Sequence, residues 1–256
     1  MKKHFKKWIF RLMVTVLFLL GLLVTFMLSP MLLYASKTVA GNYSLYHNKP
    51  LNQNFQQLLG QSNILIKSSE LYDPKLKIDV CLKDGSNYPK LIKAVMGKDF
   101  LSSFYNKIIF EGDIINNNDN YIQLDGHKWN LTQMLAHAQV HCLEFNKYGL
   151  WQSNPIAKHP VWKWEGYPEY VARQNADQAN LQNNIKKLLQ AENTTNNGWM
   201  KFADSTETLI AFEEYRLLIQ YCIEIKKMTF IEVMKDTAQE RIVRQEMINW
   251  YNQQQN

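Results

Sequence analysis

Acidic residues are absent from the first eleven positions of this 256-residue chain, and no charge of either sign occurs from Leu12 to Leu28. Cysteine is scarce: Cys81, Cys142 and Cys222 are all there is. There is no internal repeat, and no low-complexity tract beyond asparagine-rich turns and the NQQQN tail. The missing repeat excludes a solenoid. The odd cysteine count excludes complete pairing. Outside the cytoplasm one pair could be bridged and one thiol left over, with nothing in the spacing to choose the pair. Three buried thiols packing as small hydrophobes are the other possibility. A basic binding face is also absent. The formal charge is +6, but Lys2, Lys3, Lys6, Lys7 and Arg11 supply five of it, leaving the rest of the chain at +1. A phosphate-binding surface needs clustered charge, so no nucleic-acid partner is expected.

Residues 1–11 therefore read as a cytoplasmic basic segment and 12–34 as a transmembrane anchor. The run LMVTVLFLLGLLVTFML, with apolar residues on either side, can span about 30 Å of hydrocarbon. Positive charge before the span and little after it puts the N-terminus inside and the remainder on the extracytoplasmic, periplasmic side. A cleaved signal peptide is the alternative, with cut sites near Ala35 or Ala40. Residues 35–50 read as a linker and 51–256 as the exported domain.

Within that domain, 51–60 has helical spacing and ends at Gly60. Residues 76–82, 107–110 and 121–124 read as strands, with a helix at 88–96 between the first two. A βαββ-like opening followed by helices suggests an α+β domain. The helix over Asn130–Gly149 (NLTQMLAHAQVHCLEFNKYG) has a capping box in Asn130 and Gln133 and a terminating glycine in Gly149. Leu131, Met134, Leu135, Ala138, Cys142 and Phe145 form its apolar stripe, with His137 and His141 on the edge. A further helix is predicted over 162–173 and another over 181–191. Capping boxes at Asp204/Glu207 and Thr229/Glu232 announce two long helices, 206–227 and 231–251.

His137 and His141 are four apart, so they share one face of their helix a turn apart, the spacing that offers two imidazoles to one metal ion. Glu165 would complete a His₂Glu set for zinc, leaving the fourth position for water or a substrate carbonyl. Glu169, one turn on, is placed to accept from the other ring nitrogen of a ligand histidine.

HAQVH followed by WKWEGYPEY resembles the His-Glu-x-x-His and Trp-x-x-Glu-Gly-x-x-Glu-Tyr segments of the gluzincin metallopeptidases. The resemblance covers about residues 120–225. It implies a mainly helical zincin-like domain after the small β-containing part. It also implies zinc on His137, His141 and Glu165, an orienting role for Glu169, and an oxyanion-steadying tyrosine matched to Tyr215. One position departs from the pattern: the general base that follows the first histidine is replaced by Ala138. A positioned base contributes typically 10²–10⁴-fold, so metal binding is expected to survive and peptide hydrolysis to be weak or lost. The resulting expectation is a membrane-anchored metallopeptidase homologue that binds zinc, and a peptide or protein, without efficient turnover. Its alternatives are an active zinc hydrolase with an unusual base, and a metal-free structural or interaction domain that keeps the fold.

Overall fold

The computed structural model describes residues 2–175 and 178–255, with side chains from residue 5 onward. Helix α1 (Lys2–Leu28) carries the apolar run. Its segment Phe5–Leu28 has mean hydropathy 2.4, and its most apolar stretch is not buried against the rest of the chain, so it is long and apolar enough to cross a membrane. No linker follows it. A 3₁₀ turn (Pro30–Leu33) leads straight into strands β1 (Ser36–Ala40) and β2 (Tyr43–His47). The two strands pair antiparallel across the two-residue turn Gly41–Asn42, with Gly41 at φ 60°. That turn type needs positive φ, which Gly-Asn supplies, so the hairpin signal lay in a stretch whose polarity suggested a linker.

Helix α2 (Gln53–Ile66) runs through Gly60 instead of stopping there. Phe55, Leu58, Leu59 and Ile66 are all buried, and that packing outweighs the roughly 1 kcal/mol an internal glycine costs. Strand β3 (Ile78–Cys81), helix α3 (Tyr88–Met96), strand β4 (Leu101–Phe104) and strand β5 (Lys107–Phe110) complete the main sheet. Its order is β1-β2-β3-β5-β4. The pairs β2–β3 and β3–β5 are parallel, and β4 is an antiparallel edge. Side chains alternate between two cores. Leu45, Val80, Ile108 and Phe110 face α2, whereas Tyr46, Cys81 and Ile109 face α3. Strands β6 (Ile114–Asn116), β7 (Tyr121–Leu124) and β8 (His127–Asn130) form a separate meander that ends at the next helix.

That helix, α4 (Leu131–Tyr148), is buried along its whole length from Leu131 to Phe145. It has two apolar faces. Leu131, Leu135, Ala138 and Cys142 pack toward the sheet, while Ala136, Val140 and Leu143 pack into the helical half. The helical half comprises α5 (Val161–Trp164), α6 (Gly166–Ala172), α7 (Leu181–Thr194), α8 (Ile210–Gln220), α9 (Phe230–Lys235) and α10 (Glu240–Gln253). A hairpin of β9 (Trp199–Lys201) and β10 (Glu207–Leu209) stands before α8.

Three expected helices are cut differently. The helix over 162–173 divides at Glu165. Asp204 and Glu207 do not cap a helix: Asp204 accepts from the Thr206 amide and hydroxyl, and Glu207 lies in β10. Helix α8 then starts at Ile210 and ends in a π-helical turn, Tyr221–Ile225. The Thr229–Glu232 capping box is present, but the helix it opens stops at Lys235. Buried Lys163 donates to the carbonyls of Val233 and Asp236 there, satisfying acceptors a longer helix would have used. All three cysteines are buried free thiols, so no bridge forms. The architecture is mixed α and β, as expected, with the β part larger than the sequence suggested.

Candidate metal centre

Helix α4 owes its position to both ends. Asn130 caps it by accepting from the Gln133 amide at 3.1 Å. The Gln133 side chain does not reach back, contrary to the expected capping box; it donates to Gln178 and accepts from Arg173. Gly149, at φ 71°, ends the helix.

Burial on both sides of α4 leaves a third stripe, Met134, His137, His141 and Phe145, which lines a cleft of about 490 Å³. Glu165 enters from the break between α5 and α6. The break can occur because Gly166 lies against α8: a Cβ there would sit 2.5 Å from the Tyr215 carbonyl oxygen. Only glycine allows that approach, and it brings the preceding carboxylate over α4.

The three expected ligands converge. His137 Nε2 and His141 Nε2 are 3.0 Å apart, and Glu165 Oε2 is 3.4 Å from the first and 3.2 Å from the second. A tetrahedral ion with ligands at about 2.0–2.1 Å sets its donors roughly 3.3–3.4 Å apart, so the triangle has the size of a zinc face. The outer nitrogens fix the chemistry. His137 Nδ1 lies 2.7 Å from Glu169 Oε1, and His141 Nδ1 lies 2.7 Å from Glu144 Oε2. An ionised carboxylate only accepts, so each Nδ1 carries the proton, and in the neutral ring Nε2 presents a lone pair to the centre. Two lone pairs and a carboxylate oxygen at such distances repel unless a proton or a cation lies among them. A proton serves in the metal-free chain, and the donor types and spacing also fit a divalent ion.

Electrostatics follow from this crowding. Burial lowers the imidazolium of His141, but the carboxylates of Glu165 and Glu144 more than offset it and hold the group up to about 10. His137 is also raised: burial lowers it, and hydrogen bonds to Glu165 and Glu169 outweigh that. Burial works to raise Glu165, yet both histidines hold it well below the ordinary carboxylate range. Glu169 is held down to about 2, against burial, by Arg173 and His137. Glu144 is fully buried, and that desolvation keeps it up at about 7 despite His141. Its Oε1 has no partner among the described residues.

Other expected site residues fall differently. Ala138 is buried in the cluster between α4 and the sheet and offers no base. Tyr215 does not line the cleft; Phe212, nearly one turn earlier, does. Of the tryptophan and tyrosine residues around Glu165, Trp164 lines the cleft. Trp162 is in the helical core, and Tyr167 is spent on the Glu70 amide and a 3.6 Å stack on Phe230.

Several contributors had weak signals or none. Glu144 stands three residues after His141, a legible spacing once the histidine is known to need an outer partner. Arg173, four after Glu169, donates to it through Nε and to Gln133 at 3.0 Å. Asp99 and Lys98 come to the cleft from the turn before β4, and Trp129, Trp199 and Phe212 supply an aromatic wall. These come from distant segments, and no local pattern marked them. No family model, curated protein or solved structure matches this chain.

Proposed function

We propose that this chain is a membrane-anchored homologue of the gluzincin metallopeptidases that binds zinc through His137, His141 and Glu165 and holds a polypeptide in the adjoining cleft, with little or no hydrolysis. The observation that carries the reading is the triangle of Nε2, Nε2 and Oε2 with a carboxylate behind each imidazole. When bound, zinc would supply Lewis acidity toward a carbonyl or a water at its open position.

The chain's own residues do the rest. Glu169 and Glu144 hold the ring orientations, and Arg173 keeps Glu169 ionised. Strand β4 is an unpaired sheet edge, and Leu101–Ser103 line the cleft beside the histidines. Its free backbone groups suit an added strand, so an extended peptide is the ligand class the cleft favours. The aromatic wall gives that peptide's side chains apolar contacts. Ala138 leaves the base position empty of any proton acceptor.

One observation favours the active-hydrolase reading: Asp99 reaches the cleft from the turn before β4, and desolvation raises its carboxyl against the lowering effects of the Phe100 amide and His137. A carboxylate there could accept a proton, and among the described residues lining the cleft it stands apart from Glu169 and the three convergent donors.

Zinc analysis of the purified full chain in detergent tests the central claim. One equivalent is expected in the native chain and almost none in His137→Ala or Glu165→Gln. A native chain that retains no zinc after zinc is supplied overturns the reading in favour of a bare scaffold. Ala138→Glu is expected to create or raise hydrolysis of a peptide library, at a stability cost above the roughly 1–3 kcal/mol of overpacking, because position 138 is packed in an apolar cluster and the new carboxyl loses water there. Loss of native turnover in Asp99→Asn with zinc retained would instead favour the second reading.

A further inference from the structure

The end of α1 is bolted to the domain. Tyr88 Oη donates to the Met27 carbonyl, Ser86 Oγ to the Leu33 carbonyl at 2.7 Å, and Tyr34 Oη to the Leu82 carbonyl at 2.8 Å. Met27 and Leu33 also pack against the buried cluster of Tyr34, Tyr46, Tyr88 and Ile92. A helix able to cross a membrane therefore ends against the first two turns of α3, with no slack between them.

Helix α3 has one apolar face, and only part of it is covered. At about 100° per residue, Tyr88, Ile92, Val95 and Met96 share an arc of roughly 100°. Tyr88 and Ile92 are fully buried, whereas Val95 and Met96 are 47% and 46% exposed. The last turn thus carries the apolar face past the edge of the domain. Met31 and Leu32, in the 3₁₀ turn just after the span, are 51% and 58% exposed. Lys93 is exposed about 60° round α3 from Met96, whereas Lys90, also exposed, lies on the opposite side of the helix. Apolar tips beside a lysine whose stem can snorkel suit a lipid interface, and the continuity with α1 puts that interface within reach.

We propose that the 3₁₀ turn and the last turn of α3 form a shelf that rests on the bilayer, with Met31, Leu32, Val95 and Met96 in the interfacial region and Lys93 among anionic headgroups. Met96 also lines the cleft, so the shelf sets the mouth of the candidate metal centre at the membrane surface. The inference rests on the span and on α3, and stands whether or not zinc binds.

The test uses the full chain reconstituted in vesicles of phosphatidylcholine with added phosphatidylserine. The three native thiols are buried, so single cysteines introduced by Val95→Cys, Met96→Cys, Phe18→Cys and Ile242→Cys can carry a spin label selectively. Accessibility to oxygen relative to a water-soluble nickel complex reports depth. Phe18→Cys marks the lipid interior and Ile242→Cys, on α10, marks water. Labels at 95 and 96 are expected to show a several-fold higher ratio than position 242. In Lys93→Glu the ratio at position 95 is expected to fall. Ratios at 95 and 96 equal to that at 242, with position 18 in lipid, overturn the shelf. A water-exposed position 18 overturns it too, because the shelf needs the span.

Discussion

Glu144 separates orientation from ligation. It is not one of the three convergent donors and hydrogen-bonds, among the described residues, to His141 Nδ1, so its loss should weaken metal binding without removing a donor that would hold the ion. Orienting partners of this kind typically contribute 10–100-fold to metal affinity. Glu144→Gln is accordingly expected to lower zinc affinity by about that factor in a competition titration, with unchanged far-ultraviolet circular dichroism. A change in thermal stability with no change in affinity would mark it as a packing residue only. The same groups give the metal-free chain a pH signature. His141 is raised from 6.5 to about 10, so its contribution to stability is complete below 6.5 and fades as pH rises toward 10. Glu144, raised from 4.5 to about 7, fades in the same direction. Glu165 and Glu169 are depressed from 4.5, so their contribution is present above that value and is lost as pH falls. Metal-free protein should therefore resist urea best on the acid side of neutrality, between about pH 4.5 and 6.5. With zinc the imidazoles must be neutral, and the optimum should move upward. Urea midpoints at pH 5.5 and pH 8, with and without zinc, decide this.

At the scale of elements, the break between α5 and α6 matters more than either helix. Gly166 lets α6 lie on α8, and Glu165 is aimed by that contact. In Gly166→Ala the new Cβ would meet the Tyr215 carbonyl carbon at 2.8 Å as well as its oxygen, so backbone has to move. Overpacking of this sort typically costs 1–3 kcal/mol. The expected outcome is a lower melting temperature together with weaker zinc binding, because the displaced residue is the neighbour of a ligand. Retained affinity at reduced stability would show that Glu165 is positioned by something else. Glycine and glutamate stood side by side in the WKWEGYPEY segment, but the reason for the pair was not legible there: the residue that forbids a side chain at 166 is 49 positions away.

Across the whole molecule, two cores meet on α4, the sheet core on one side and the helical core on the other. Metal would join α4 to the α5–α6 break and hence the halves to each other. Zinc at 100 times its dissociation constant should raise the unfolding free energy by about 2.7 kcal/mol. A chelator should reverse the gain, and His137→Ala should show none. Thermal melts of the full chain in detergent measure it.

Local rules sufficed wherever the interactions lie within a turn or two of chain. The apolar run of α1, the bounds of α3, the Asn130 cap, and the His137–His141 face are of this kind, because helical hydrogen bonds and periodicity act over four residues or fewer; β5 and β7 were marked by their own side chains, although their hydrogen-bonding partners lie on other strands. The convergence of His137, His141 and Glu165 was readable to the same extent: two members share a helix, and the third follows a short loop later. Tertiary packing decided what local rules cannot reach. It carried α2 through Gly60, turned a polar stretch into the β1–β2 hairpin, stopped α9 at the Lys163 ammonium, and put Phe212 where Tyr215 was expected. It also brought Arg173 against Gln133 of α4, and Asp99 into the cleft, from two separate segments. A buried charge or a close backbone approach is set by what lies across the fold, and that neighbour leaves no mark on the adjacent sequence.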